Sequence, residues 1–219
     1  MDAFEHVVAM LLHRQGYWVQ TSYKVALTRD DKRNMGLPSC PRWEIDIVAY
    51  RPVGNEVLAV ECKSFLNSPG ISYPSFSGEN AKGASTYKLF TNETIRRVVL
   101  GRLAQQLQDH KLAGPTPKVQ LCLAAAHLRK GHEKSIRQHC ESNSWGLFDA
   151  EWFSNRFRDL AKCDYENDIA VVAAKLAAGA KLAESNRPHA ASSRRTAELA
   201  EQGSAQTSYP LGVVLLRRW

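Results

Sequence analysis

The chain has 219 residues, 44% of them hydrophobic and 23% charged, a balance that supports a folded core and excludes disorder along its whole length. Lys and Arg number 29 against 22 Asp and Glu, so the net charge of +7 admits a phosphate-backbone partner but falls short of a purely electrostatic binder. The longest apolar runs, such as Val7 to Leu12, are too short to cross a bilayer, and the acidic start followed by no small-residue cleavage site argues against a secretory signal.

In chain order, Phe4 to Gln15 places Phe4, Val7, Val8, Leu11 and Leu12 at helical spacing, with Gly16 set to end the turn. Tyr17 to Leu27, rich in β-branched and aromatic residues, reads as a strand, and Thr28 to Pro41 as a polar loop broken by Gly36 and Pro38. Trp43 to Tyr50 then alternates: Glu44, Asp46 and Val48 fall on one face, Ile45, Ile47 and Ala49 on the other. Residues 52–55 turn the chain at Gly54-Asn55, and Val57 to Lys63 alternates again, Leu58, Val60 and Cys62 opposite Ala59, Glu61 and Lys63. Residues 67–93, rich in Ser, Gly, Pro, Asn and Tyr, predict a long, partly ordered excursion.

Thr94 to Lys111 carries Ile95, Val98, Val99, Leu103 and Leu107 at helical spacing, and Lys118 to Ala126 is an apolar run suited to a buried strand. Residues 131–143 predict a helix, Leu147-Phe148 a short strand, and Asp149 the N-cap of a further helix to Ala161. The order implies an α/β domain over residues 1–170, a mixed sheet flanked by helices. An Ala-rich helix, Ala170 to Ala183, opens a second segment, residues 171–219. Its last part, 184–219, holds five Arg, no Lys and three Glu and predicts a weakly ordered tail. The five cysteines are odd in number and show no CxxC spacing, which argues against a disulfide framework or structural zinc and for a reducing cytoplasm.

The chemistry concentrates on the two central strands. Residues i and i+2 of a strand point the same way, so Glu61 and Lys63 project together, and pairing across the 52–55 turn brings in Asp46. Two close carboxylates raise each other's pKa. A divalent cation relieves that repulsion, and oxygen ligands suit Mg²⁺ or Mn²⁺. Such a metal polarises a phosphodiester and lowers the pKa of bound water, while an adjacent lysine orients the attack or stabilises developing charge. A solvated charged face is the rival explanation, since surface strands often alternate Glu and Lys.

Asp46, fourteen intervening residues and then Glu61-Cys62-Lys63 resembles the PD-(D/E)xK nuclease superfamily over roughly residues 1–130. The resemblance implies a restriction-endonuclease-like αβββαβ core. In it Asp46, Glu61 and the Cys62 carbonyl ligate Mg²⁺ or Mn²⁺, and Lys63 is the catalytic lysine. Holliday-junction resolvases of archaea and Mrr-like members also carry a glutamate on the first helix. Glu5 matches it, implying a further hold on a metal or its water. Ile45 stands where the family's proline precedes the aspartate. Ser64 matches a position that contacts phosphate, and Gln105 or Gln106 a glutamine of some subfamilies. The implied partner is DNA and a homodimer is admitted; no organic cofactor or membrane is expected.

Further candidates remain open at this level. Tyr73, Phe76, Tyr87 and Phe90, interleaved with Lys82 and Lys88, either stack on bases or pack the excursion. Arg96 and Arg97 either contact phosphate or lie on a solvated face. His132, His139 and Cys140 lack metal-ligand spacing, and residues 78–83 do not form a P-loop. The expected activity is metal-dependent hydrolysis of DNA phosphodiesters. The alternatives are a catalytically inactive nucleic-acid-binding module on the same fold and a plain α/β interaction protein.

Overall fold

A computed structural model describes residues 2–40 and 42–185; the expected tail, from residue 186 onward, lies outside the described residues. Its first helix, α1 (Ala3–Arg14), begins where Asp2 accepts from the Glu5 amide while the Glu5 side chain accepts from the Asp2 amide, a capping box. Strands β1 (Trp18–Ala26), β2 (Arg42–Arg51) and β3 (Glu56–Lys63) form an antiparallel meander. Then β4 (Lys118–Ala125) and β5 (Gly146–Phe148) join parallel, giving a five-stranded mixed sheet in the order β1-β2-β3-β4-β5.

Between β1 and β2 the expected loop contains a short helix, α2 (Arg29–Asn34), started by a second capping box between Thr28 and Asp31. Apolar periodicity cannot reveal this helix because its buried residue is Asp31 itself. The carboxylate is held bidentately by Arg102, at 2.7 Å from Nε and 3.2 Å from Nη2. Residues 67–93 are also more ordered than their composition suggests. They hold α3 (Tyr73–Ser77), α4 (Ala81–Ala84), a 3₁₀ turn (Ser85–Tyr87) and α5 (Lys88–Thr91), followed by the long α6 (Glu93–Asp109). The remaining helices are α7 (Glu133–Ser142), α8 (Ala150–Lys162), N-capped by Asp149 as expected, and α9 (Ile169–Ser185).

Alternation along β3 and β4 feeds two cores, one on each face of the sheet. Val57, Ala59, Leu121, Leu123 and Ala125 pack with Phe76, Leu89, Phe90, Val99, Leu103 and Ile136, under the excursion, α6 and α7. Leu58, Val60, Cys62, Cys122 and Ala124 pack with Val8, Leu11, Leu12, Phe153 and Leu160 of α1 and α8. Val171 and Ala174 of α9 belong to this second core. Among the described residues no helix is long and apolar enough to cross a membrane.

One correction concerns the faces of β1 and β2. Ser22 adopts φ +51°, and neither it nor Asp46 appears in the β1–β2 ladder, although the register is the same on both sides of the break, Trp18 with Tyr50 and Ala26 with Arg42. Both strands therefore switch faces there. Tyr17 and Val19 lie in one core and Tyr23 and Val25 in the other; Ile47 and Ala49 are separated from Ile45 in the same way. The apolar row Ile45-Ile47-Ala49 expected on a single face is split, because uniform alternation assumes an unbroken pleat.

Candidate active site

Asp46 sits at a fork. The β2–β3 ladder runs from Arg51–Glu56 to Ile47–Val60 and stops. Beyond it β2 continues against β1, and β3 continues against β4 as far as Lys63–Ala125. In place of the next backbone bond, the Cys62 amide donates to Asp46 Oδ2 at 2.7 Å. The Lys63 carbonyl accepts from the Ala126 amide at 3.2 Å and so faces β4. Strand alternation turns the Cys62 amide and carbonyl the other way, toward the fork.

Glu61 lies on the same strand, its side chain 16% exposed, with Oε1 buried and without a hydrogen-bond partner among the described residues. Lys63 Nζ stands 3.8 Å from Glu61 Oε2. Burial raises the Glu61 pKa most, the negative charge of Asp46 adds to it, Lys63 opposes and Glu5 adds again, so the group is pushed up to about 8. The Cys62 thiol is also pushed well up, by burial first and then by the charges of Asp46, Glu5 and Glu61. The charge of Glu5 thus reaches the fork from α1, while its carboxylate closes the capping box with Asp2.

The structure brings Asp46, Glu61, Cys62 and Lys63 to one place. Glu44, the neighbouring acid on β2, instead pairs with Lys24 on the exposed outer strand. Among the described residues no group of three or more His, Cys, Asp and Glu side chains is arranged to hold a metal ion. The fork offers a smaller oxygen set: two carboxylates and the Cys62 carbonyl. The buried Oε1 of Glu61, without a partner among the described residues, is what fits a cation there, because a carboxyl group out of water ionises only beside a positive partner.

The other candidates are dispersed. Ser64 is half-buried just after Lys63, and Lys82, Lys88 and Arg97 are exposed on α4, α5 and α6. Arg96 is engaged within the fold, donating to the carbonyls of Leu89 (3.1 Å) and Phe90 (3.0 Å) with its guanidinium 5.0 Å over the Trp145 ring. Gln106 ties the outer edge of β1, accepting from the Ala26 amide at 2.9 Å and donating to the Lys24 carbonyl at 3.1 Å. Gln105 accepts from Arg102 at 3.0 Å. Of the four aromatics, Phe76, Tyr87 and Phe90 are core residues and Tyr73 packs edge-on to His139 at 5.8 Å, so the packing alternative holds for the excursion.

Sequence reasoning missed the break at Ser22, which decides where Asp46 points. A serine carries no signal for a left-handed φ, and glycine or asparagine is the residue that would have marked it. All five cysteines are free thiols. No protein-family model, no curated protein and no solved structure matches the chain.

Proposed function

We propose that this chain is a divalent-metal-dependent nuclease that hydrolyses DNA phosphodiester bonds, built on a restriction-endonuclease-like core. The observation that carries the reading is the Glu61 carboxyl group: buried beside Asp46, whose charge raises its pKa further, and with one oxygen lacking a hydrogen-bond partner among the described residues. The order α1-β1-β2-β3-α6-β4 supports the core assignment, since it is the αβββαβ order with α2 and the excursion inserted.

Asp46, Glu61 and the Cys62 carbonyl would hold Mg²⁺ or Mn²⁺, with Glu5 adding its charge from α1. When bound, the ion supplies Lewis-acid polarisation of the phosphodiester and a more acidic water. Asp46 also keeps the fork open, because its Oδ2 occupies the Cys62 amide that a longer β2–β3 ladder would use. Lys63, held beside Glu61, presents an ammonium to the phosphoryl oxygens and orients the attacking water by donating to it.

The test is cleavage of plasmid and branched DNA with Mg²⁺ or Mn²⁺ by the wild type, Asp46→Ala and Lys63→Ala. Metal-dependent cutting by the wild type, reduced at least ~100-fold in both variants, is expected. Equal cleavage by all three removes the assignment. DNA binding without any metal-dependent cutting by the wild type would leave the binding-module alternative.

A further inference from the structure

β4 runs beside β3 with Ala125 level with Lys63, and the Ala126 amide donates to the Lys63 carbonyl. The chain therefore leaves β4 one strand spacing, about 4.8 Å, from the proposed catalytic lysine. The next residues, His127-Leu128-Arg129-Lys130-Gly131, form a turn pinned by its neighbour. The Ile71 amide donates to the His127 carbonyl at 3.0 Å, and the Arg129 amide donates to the Ile71 carbonyl at 2.9 Å. Ile71 is fully buried and Leu128 7% exposed, so both ends of this bridge are rooted in the core. Gly70, at φ +85°, packs so tightly that a Cβ there would stand 2.7 Å from the His127 carbonyl oxygen.

Around the buried Leu128, the side chains of His127, Arg129 and Lys130 are all exposed. Neither Arg129 nor Lys130 pairs with a carboxylate among the described residues. The acid next to the turn, Glu133, accepts from the Gly131 amide at 2.7 Å. An ordered backbone thus presents unpaired cations beside the fork that holds Asp46 and Glu61. A polyanionic substrate approaching those acids is repelled unless fixed positive charge lines its path.

We propose that the 127–131 turn grips the sugar-phosphate backbone of DNA next to the cleavage site, with Arg129 and Lys130 each neutralising a phosphate. This rests on the nuclease reading for its location, not for its chemistry. Phosphate contacts of this kind position the strand and carry no base preference, so the grip is independent of DNA sequence.

The experiment measures binding of a labelled DNA duplex by the full chain, without divalent metal, between 50 and 200 mM salt. Arg129→Ala/Lys130→Ala is compared with Arg158→Ala/Lys162→Ala on α8, which removes equal charge elsewhere. Loss of two phosphate contacts lowers the slope of log K against log salt by about 1.8, while the α8 pair leaves it within about 0.5. The exchange variant Arg129→Lys/Lys130→Arg keeps the slope. An unchanged slope in the turn variant, an equal change in both alanine pairs, loss of slope in the exchange variant, or no binding by the wild type would each overturn the proposal. Because binding is read without metal, failure of the wild type to cleave overturns the nuclease reading alone and leaves a slope loss in the turn variant as support for the grip.

Discussion

The Cys62 amide donates to Asp46 Oδ2 at 2.7 Å across the point where β2 and β3 part. One carboxylate thereby replaces a rung of the sheet and stands beside the buried Glu61. Substitutions at Asp46 separate the two roles. Asp46→Asn keeps an acceptor oxygen for the amide and is expected to unfold within about 0.5 kcal/mol of the wild type. Asp46→Ala leaves that N–H unpaired and costs about 1–3 kcal/mol. Both variants are expected to lose Mn²⁺ binding. Denaturant unfolding with Mn²⁺ calorimetry checks this, and an Asn variant as unstable as the Ala variant would show that the bond does not hold the fork.

Phe76, fully buried against Tyr87, Phe90, His139 and Trp145, welds the excursion to α7. Phe76→Ala is expected to cost about 3–5 kcal/mol. DNA affinity of the folded fraction should not change, because the ring faces the core. A stability near wild type with weakened DNA binding would restore the stacking role.

Stability near neutral pH is expected to depend on His139. Burial is the main reason its pKa is lowered; Glu79 pulls the other way and Arg96, over the adjacent Trp145, lowers it further. The unfolded chain then binds the proton more readily than the folded one. The contribution is present above the ordinary value of about 6.5 and is lost as pH falls through the lowered folded value. Denaturation midpoints between pH 7.5 and 5 should fall more steeply for the wild type than for His139→Phe. Parallel curves would rule this out.

Asp31 and Arg102 lock α2 to α6. Burial pushes the Asp31 carboxyl up, but hydrogen bonds from Arg102 and Thr28 outweigh it and hold the group below its ordinary value. That stability is present above the unfolded carboxylate range and disappears as pH falls through the folded value. Arg102→Met strands a carboxylate whose side chain is 12% exposed. The expected cost is about 2 kcal/mol, below that of a fully buried pair because Arg102 itself is partly solvated. The acid unfolding transition should move to higher pH, readable by circular dichroism during acid titration.

How much was legible depends on how local each determinant is. The hairpin of β2 and β3 and the shared side of Glu61 and Lys63 follow from alternation and a short turn. The same alternation misplaced Ile45 because one residue on each strand, Ser22 and Asp46, steps out of the ladder. Thr28 and Asp31 have capping-box spacing, yet the helix they start has no apolar stripe, and the residue that steadies it lies 71 positions away. Ile71, Phe76, Tyr87, Leu89 and Phe90 are core residues spaced too irregularly to form any period.

The amino-acid order alone determined the sheet's central strands, the longer helices around them and the pairing of Asp46 with Glu61-Cys62-Lys63, because backbone periodicity and short turns act between near neighbours. Tertiary structure decided which of the candidate residues were already committed: Arg96 to Leu89, Phe90 and Trp145, and Gln106 to the edge of β1. It also decided the burial that pushes Glu61 up to about 8, and set the 127–131 turn beside Lys63. Desolvation and pairing between distant segments arise only when the chain is packed, so no local pattern of residues encodes them.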